Sequence, residues 1–206
     1  MGNFGMAKQE RAERTRVAIL EAAAKEFDEF GYEGARLERI VERTGATKGA
    51  VYFHFRSKLD IARALVEEKY TNWPVIVAEV AGTGLRGLAA AEELTQRVGR
   101  VFAQDVRVRA AMKLTQTVLP PAPEDNPYER WTQLITVFVA QEVEDAGLQH
   151  VKPREVATVA VQSFFGAYMI AHELGRLDTL PDDVKRLWQI IGASFTFPAA
   201  APATVA

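Results

Sequence analysis

Residues 30–65 read FGYEGARLERIVERTGATKGAVYFHFRSKLDIARAL, and the apolar residues within them recur at helical spacing. The first pattern consists of Leu37, Ile40 and Val41, which a short helix would place on one face. Gly45 follows it and supplies the backbone freedom that a tight turn between two helices requires. The stretch therefore predicts two short helices joined by a turn, the helix-turn-helix arrangement.

The second short helix of this stretch is predicted to begin after Thr47. A threonine there accepts a hydrogen bond from a free backbone N–H, and Val51 and Phe55 lie four residues apart on one buried face. Ser57 repeats the capping chemistry before a long helix that runs toward Val80. Because the major groove of DNA is wide enough for one helix, the second short helix is a candidate for insertion into it.

The remaining face of this second helix carries groups that suit a DNA contact. A small three-helix head cannot bury all five residues from Val51 to Phe55, so exposed rings beside Lys48 need a partner. The alternative interpretation is that this aromatic run is simply core. Lysine reaches a guanine edge or a phosphate, tyrosine and histidine hydrogen-bond phosphates, and phenylalanine contacts a thymine methyl. The candidate DNA contacts of this helix are Thr47, Lys48, Gly49, Ala50, Tyr52, Phe53 and His54. Lys58 is a further candidate from the first turn of the following helix, where its ammonium and the free N–H groups favour a phosphate.

Helical patterns account for the rest of the chain. An amino-terminal helix is predicted over residues 9–30 and stops at Gly31. Beyond the fourth helix, further helices are predicted over residues 88–104, 106–118, 127–146 and 153–174, and after Pro181. No run combines β-branched residues with strict alternation, and no repeat is visible. The predicted fold class is all-α, with a three-helix head and a six-helix body, about nine helices in total.

Composition excludes several classes of protein. The 206 residues are 48% hydrophobic and 25% charged, as in ordinary globular proteins, and the absence of cysteine excludes disulfides and thiolate sites. Residues 156–170, the most apolar stretch, are fewer than the roughly 20 that cross a bilayer, and residues 1–10 lack signal-peptide features. We therefore expect a cytoplasmic protein without a membrane partner. Residues 1–70 carry 13 Lys and Arg against 12 Asp and Glu, whereas the remainder carries 12 against 15, so DNA binding needs a local patch.

Catalytic and metal-binding motifs are weak. His172-Glu173 begins like a zinc motif, but Arg176 stands where the second histidine would be needed. The glycines between residues 82 and 87 follow a predicted helix rather than a strand, which does not suit a phosphate-binding loop. We therefore expect no metal, no cofactor and no enzymatic activity.

The motif in residues 31–58 resembles that of the TetR family of repressors. The family has Gly-Tyr after its first helix, then Gly-x-x-x-Gly-x-Φ-Tyr-x-His/Tyr-Phe-x-x-Lys, where Φ is apolar. The matching residues are Gly31, Tyr32, Gly45, Gly49, Val51, Tyr52, His54, Phe55 and Lys58. This resemblance, which covers about residues 10–60, implies an all-α homodimer whose second short helix contacts operator DNA. The family usually begins helix two with threonine, whereas this chain has Ala35-Arg36, so Arg36 is expected to replace the phosphate contact by charge.

A finer resemblance extends into the body. Residues 47–55, 109–114 and 127–131 are similar to those of the γ-butyrolactone autoregulator receptors, which control antibiotic production in mycelial bacteria. In that branch a tryptophan placed like Trp131 lines the ligand pocket, and a packed core tryptophan is the alternative. The implied domains are a helix-turn-helix DNA-binding domain at 8–56, a ligand-binding and dimerisation domain at 57–197, and a flexible tail at 198–206.

Two further sets of residues are candidates for binding. An aromatic ring and several polar residues within apolar helices can orient a ligand, although such polar residues are often satisfied core groups or face solvent. The candidate ligand-binding residues are Trp131, Gln116, Thr117, Thr158, Gln162 and Phe165. Members of the family pair through their last two long helices, whereas packing within one chain is the alternative. The candidate dimer-interface residues are Phe164, Tyr168, Leu187, Trp188 and Ile191.

The expected function is that of a ligand-responsive repressor. It would bind palindromic operator DNA as a homodimer and be released by a small signalling molecule, a γ-butyrolactone-type autoregulator that controls antibiotic biosynthesis in quorum sensing. One alternative is a pseudo-receptor of the same family that answers an antibiotic or a butenolide. An alternative from another class is a carrier or enzyme that binds an apolar metabolite.

Overall fold

The computed structural model describes the backbone of residues 3–195 and, within that range, the side chains apart from those of residues 3–5, 69–72 and 123. This described part of the chain contains nine α-helices and no strand. Their bounds are α1 (Asn3–Gly34), α2 (Leu37–Thr44), α3 (Lys48–His54), α4 (Lys58–Ala81), α5 (Gly87–Gln104), α6 (Val106–Thr117), α7 (Pro127–Asp145), α8 (Pro153–Glu173) and α9 (Leu180–Ser194). The all-α prediction is confirmed, and the tail predicted at 198–206 lies outside the described residues.

The chain divides into two compact units. The first, here called the head unit, comprises the residues up to Pro74 together with Gln104–Pro121. The second, the body unit, comprises Val75–Ala103 and the residues from Ala122 onward. Helix α6 therefore belongs to the head unit, although the sequence places it after α5 of the body unit. The functional boundary at residue 56 stays a prediction, because compactness alone does not test function.

Helix α1 forms one wall of the core of the head unit. Leu20, Ala23, Ala24 and Phe27 are all fully buried, as their helical spacing predicts. At Gly31 the backbone has φ 67° and ψ 179°, so the helical geometry breaks where the sequence predicts a stop. The break lets the chain turn back toward α2, which packs against α1.

The two short helices complete the helix-turn-helix. Gly45 ends α2 in the left-handed conformation with φ 62°, which a residue with a Cβ adopts only at a cost. Ile40 of α2 and Val51 of α3 are fully buried and join the core that α1 begins. Their burial fixes which face of each short helix remains on the surface.

An ion pair fastens α6 to α1 within the head unit. Arg109 Nε donates to Asp28 Oδ2 over 3.0 Å, and both side chains are largely buried. The Lys113 ammonium donates to the backbone carbonyl of Asp28. Charged donors on two successive turns of α6 therefore meet one residue of α1, which fixes the register between the two helices.

The body unit has an aromatic core on α5 and α8. Phe102 is 1% exposed, and its ring centroid lies 5.9 Å from that of Phe164 and 4.6 Å from that of Tyr168. Helix α9 closes this core with Trp188, whose Nε1 donates to Thr95 Oγ1 over 2.6 Å. Aromatic burial, with one directed hydrogen bond from α9 to α5, therefore holds these helices together.

Within residues 3–195 we find no helix whose length and hydropathy would suffice for a transmembrane segment.

Candidate DNA-binding surface and ligand cavity

Helix α3 presents its aromatic residues outward. Thr47 caps the helix by accepting from the backbone N–H of Ala50 over 3.2 Å. Val51 and Phe55 are buried, whereas Phe53 is 82% exposed and Tyr52 is 42% exposed. Contact between an exposed phenylalanine ring and water is unfavourable, so this surface suits a partner that would cover the ring. The interpretation of the run as simply core does not hold for Phe53.

The other residues predicted to contact DNA lie around these rings. Arg36, Thr47, Lys48 and Gly49 are exposed, and Ala50 and His54 are half-buried. The Lys48 ammonium lies 5.9 Å from the centroid of the Tyr52 ring, and the His54 ring meets that of Phe53 edge-on at 5.3 Å. A Cβ built on Gly49 would meet nothing within 4 Å, so no packing within the chain requires glycine there.

Lys58 has a role within the head unit that the sequence did not reveal. Its ammonium donates to the carbonyl oxygens of Tyr32 over 2.6 Å and of Ala35 over 2.9 Å. It also lies 4.4 Å from the centroid of the Tyr32 ring. Lys58 therefore ties the start of α4 to the turn between α1 and α2. Contact of Lys58 with a DNA phosphate stays a prediction.

Glu26 is a second residue that sequence reasoning missed. Its side chain, on α1, is 0% exposed, and one carboxylate oxygen accepts from the backbone N–H of Arg36 over 3.1 Å. The same oxygen accepts from Arg39 Nε. The signal available in the sequence was a charged residue on the buried stripe of α1, directly before Phe27.

A narrow cavity lies inside the body unit. About 10 Å³ of it is accessible to the centre of a water molecule, which is room for about one water. Its accessible lining is apolar. The hydroxyl of Thr95, which lines it, already donates to the Ala91 carbonyl over 2.7 Å and accepts from Trp188. The lining residues are Thr95, Val98, Trp131, Ile135, Ala160, Val161, Phe164 and Phe165.

Only two of the six predicted ligand-binding residues line this cavity. Trp131 and Phe165 do so, whereas Thr158 and Gln162 of α8 are not among the lining residues. Gln116 and Thr117 are exposed on α6 and belong to the head unit. The hydroxyls of Thr117 and Thr158 each donate to the carbonyl four residues earlier, as threonines within helices commonly do. Ligand contact by each of the six stays a prediction.

The residues predicted for the dimer interface are mostly buried within one chain. Phe164, Tyr168, Trp188 and Ile191 are 3–8% exposed, because they pack within the body unit of one chain, and Leu187 is half-buried. Contact of these five residues with a second copy stays a prediction. The apolar residues of α8 and α9 that remain open are Val159, Met169, Ile170 and Ile190, each 54–70% exposed.

Comparisons with known proteins match both the helix-turn-helix region and the chain as a whole. Residues 19–65 match the model of the bacterial regulatory proteins of the tetR family. The A-factor receptor protein of Streptomyces griseus is 32% identical over 94% of this chain and 68% of its own length.

Two solved structures extend the similarity to the whole fold. A crystal structure described as a γ-butyrolactone receptor, an ArpA-like protein, has a TM-score of 0.68 and 31% identity over 87% of this chain and 98% of its own. CprB of Streptomyces coelicolor, solved in complex with its operator sequence, has a TM-score of 0.76 and 31% identity over 94% of this chain and 92% of its own. These relatives are regulators and not enzymes, and the predicted resemblance is confirmed. The chain therefore belongs to the TetR family and is a transcriptional regulator close to the γ-butyrolactone receptors.

Proposed function

We propose that this regulator is a repressor that binds palindromic operator DNA as a homodimer and leaves it when a γ-butyrolactone-type molecule binds. The observation that carries the proposal is the exposure of Phe53 and Tyr52 on the capped helix α3. A groove-binding helix needs outward-facing groups beside a cation, and Lys48 supplies the cation. The operator contacts proposed are Arg36, Thr47, Lys48, Gly49, Ala50, Tyr52, Phe53, His54 and Lys58.

Dimerisation is proposed through the open faces of α8 and α9. Val159, Ile170 and Ile190 are large apolar side chains, more than half exposed on the two helices. A two-fold contact between copies would cover them, and two copies of α3 would then meet successive major grooves about one helical turn apart. Two half-sites related by the same symmetry make the operator palindromic.

The effector is proposed to occupy the cavity beside Trp131. The apolar lining suits the aliphatic part of a lactone signal, and Trp131 offers a flat apolar face with one N–H donor. Because the cavity admits about one water, binding must widen it by moving side chains or helices. A ligand that binds only the widened state shifts the population toward that state. DNA release needs a difference of only a few kcal/mol in the free energy of ligand binding between the two states. A nearly complete switch needs about 5.5 kcal/mol.

DNA binding is tested with a duplex taken from the region upstream of the protein's own gene. We expect fluorescence anisotropy to give an affinity at least about a thousandfold tighter than that for a scrambled duplex at the same salt concentration. Equal affinity for both duplexes would remove the repressor proposal and favour the carrier. The stoichiometry of the same titration shows whether one dimer or two dimers bind each duplex.

The effector is tested by calorimetry with a γ-butyrolactone, a butenolide and an antibiotic. The γ-butyrolactone is expected to bind and to dissociate the operator complex, whereas binding of only the other two would favour the pseudo-receptor. Trp131→Ala should keep operator affinity and weaken the ligand response. Val137→Ala, which alters an exposed residue of the same helix outside the cavity lining, is the matched control and should respond like the wild type.

A further inference from the structure

The amino terminus of α2 is capped by a residue of another helix. Arg36 occupies the N-cap position, and its side chain makes no capping hydrogen bond. The backbone N–H of Arg36 instead donates to Glu26 Oε1 over 3.1 Å. A carboxylate at this end also meets the positive pole of the helix dipole of α2. Glu26 thus accepts, from α1, the N-cap N–H that a glutamate or glutamine at the third helical position accepts in a capping box.

Two arginines of α2 neutralise this buried carboxylate. Arg39 Nε donates to Oε1, and Arg43 Nε lies 3.5 Å from Oε2, which has no hydrogen-bond partner among the described residues. Arg39 is itself oriented, because it donates to the Gly34 carbonyl over 2.8 Å and lies 4.2 Å from the centroid of the Phe30 ring. Glu26 therefore contacts α2 at its cap and on its first two turns.

An ion pair with a buried carboxylate adds little to the stability of a fold. Replacing such a pair with apolar side chains is often neutral or stabilising, because the desolvation of the charges offsets their attraction. The ion pair instead provides directional contacts, since a carboxylate accepts hydrogen bonds only from donors that are correctly placed. The contact therefore specifies where α2 begins and how its first turn is oriented.

We propose that Glu26 is a positioning residue for operator binding. It fixes the backbone of Arg36 at the start of α2 and thereby the point from which the Arg36 side chain reaches a DNA phosphate, so that this backbone does not have to be ordered when DNA arrives. The inference rests on the proposed operator contact of Arg36. Glu26 itself is buried and touches no DNA.

Three variants of α1 test the proposal by operator affinity. Glu26→Gln keeps an acceptor for the Arg36 N–H but loses the charge, whereas Glu26→Leu loses both. Glu21→Gln is the matched control, because Glu21 is exposed and pairs with Lys25 on its own helix. Removing a negative charge from a DNA-binding unit by itself favours binding to phosphates, so the control should bind as well as the wild type or more tightly.

The two Glu26 variants should move in the opposite direction. We expect Glu26→Gln to bind about threefold more weakly and Glu26→Leu about tenfold more weakly than the wild type, an effect of the size of a lost helix cap. Both should remain folded at the assay temperature, as checked by circular dichroism. Affinities of folded Glu26 variants equal to that of Glu21→Gln would overturn the proposal.

A double-mutant cycle separates positioning from general support of the fold. In the background of Arg36→Ala, Glu26→Leu should lower operator affinity by no more than about twofold, because the arginine that it positions is already absent. An equal loss with and without Arg36 would show that Glu26 acts on the fold alone. The dependence of affinity on salt gives a second readout, since Glu26→Leu and Arg36→Ala should reduce its slope alike.

A measurement without DNA keeps this inference separate from the proposed function. Hydrogen exchange of the Arg36 amide should be slow in the wild type and faster by at least about tenfold in Glu26→Leu, with no change at the Val51 amide. If the wild type does not prefer the operator, the proposed function fails, but hydrogen exchange still tests the contact between Glu26 and the Arg36 amide. If the Arg36 amide exchanges equally in both proteins, the cap is absent and the positioning role with it.

Discussion

The head unit and the body unit differ in the contacts that stabilise each of them internally. In the head unit, charged side chains reach across helices to backbone groups, as Lys58 does to Tyr32 and Ala35 and Glu26 does to Arg36. In the body unit, aromatic rings around Phe102 provide the packing. Directed hydrogen bonds fix the position of a helix, whereas apolar contacts can be rearranged at smaller cost. The body unit has a directed contact of this kind as well, since Glu142 of α7 accepts from the backbone N–H of Leu88 in α5 over 3.1 Å. What distinguishes the unit proposed to admit a ligand is its cluster of aromatic rings.

The largest expected effect is a loss of stability when a ring is removed from the aromatic core of the body unit. Phe102→Ala removes a ring that is 1% exposed and in contact with three others, so it should lower the free energy of unfolding by about 3–5 kcal/mol. Urea denaturation measures this change. Phe102→Leu, the apolar control, should cost clearly less. A loss below about 1 kcal/mol for the alanine variant would mean that the ring is not central to the body unit.

The next effect concerns the directed contacts of the head unit. Lys58→Met keeps the apolar stem but leaves the two carbonyl oxygens of Tyr32 and Ala35 without the ammonium. We expect a loss of about 2 kcal/mol in the free energy of unfolding, because hydrogen bonds from charged donors are the stronger ones. Lys25→Met is the control, since Lys25 is exposed and makes one helical ion pair with Glu21. Equal losses for the two variants would show that the contacts of Lys58 with the two carbonyl oxygens add no more stability than an exposed ion pair does.

A smaller effect is expected at the hydrogen bond from Trp188 of α9 to Thr95 of α5. Trp188→Phe removes the Nε1 donor, and Thr95→Val removes the acceptor. Each should cost about 1 kcal/mol, and the double variant should cost less than their sum because both remove the same bond. Urea denaturation of the three variants checks this. Strict additivity would indicate that the bond is not formed in solution.

The smallest effect is expected at the exposed pair between α7 and α8. Hydrogen bonds from Arg154, and then from Gln133, lower the pKa of Glu129 below its ordinary value. A carboxyl whose pKa is lowered on folding adds stability above its unfolded pKa and loses it as the pH falls through the folded pKa. Arg154→Ala should raise the pKa of Glu129, as NMR titration would record, with almost no change in thermal stability at pH 7. A pKa that stays unchanged would contradict the pairing.

Residues with a strong periodic signal were predictable from the sequence. Phe27, Ile40 and Val51 are buried as expected, and Thr47 caps α3 as expected. In the body unit, α8 spans Pro153–Glu173 where residues 153–174 were predicted. Helical spacing, capping residues and glycine turns act locally, so a single sequence carries them.

The choice between core and interface could not be made from periodicity. Phe164, Tyr168 and Trp188 lie on apolar stripes, but a stripe does not say whether its own chain or a second copy covers it. The structure buries these three within the chain and leaves Ile170 and Ile190 open. The position of the neighbouring helices decides this, and that information is not local.

Long-range polar contacts were equally out of reach. Glu26 and Arg36 are ten residues apart, and Lys58 meets Tyr32 from 26 residues away. Sequence alone classed Lys58 with the DNA contacts, because an exposed lysine and one bound to internal carbonyls have the same local pattern. The contact forms because the fold brings the turn between α1 and α2 beside the start of α4.

The most direct test of the central claim is the operator affinity of Phe53→Ala. Phe53 is 82% exposed, so the variant should keep the thermal stability of the wild type within about 2 °C. If α3 enters the groove, its affinity for the operator should fall by at least about fivefold, while Leu85→Ala, which alters another exposed apolar residue, should bind as the wild type does. A folded Phe53→Ala protein with undiminished operator affinity would contradict the account.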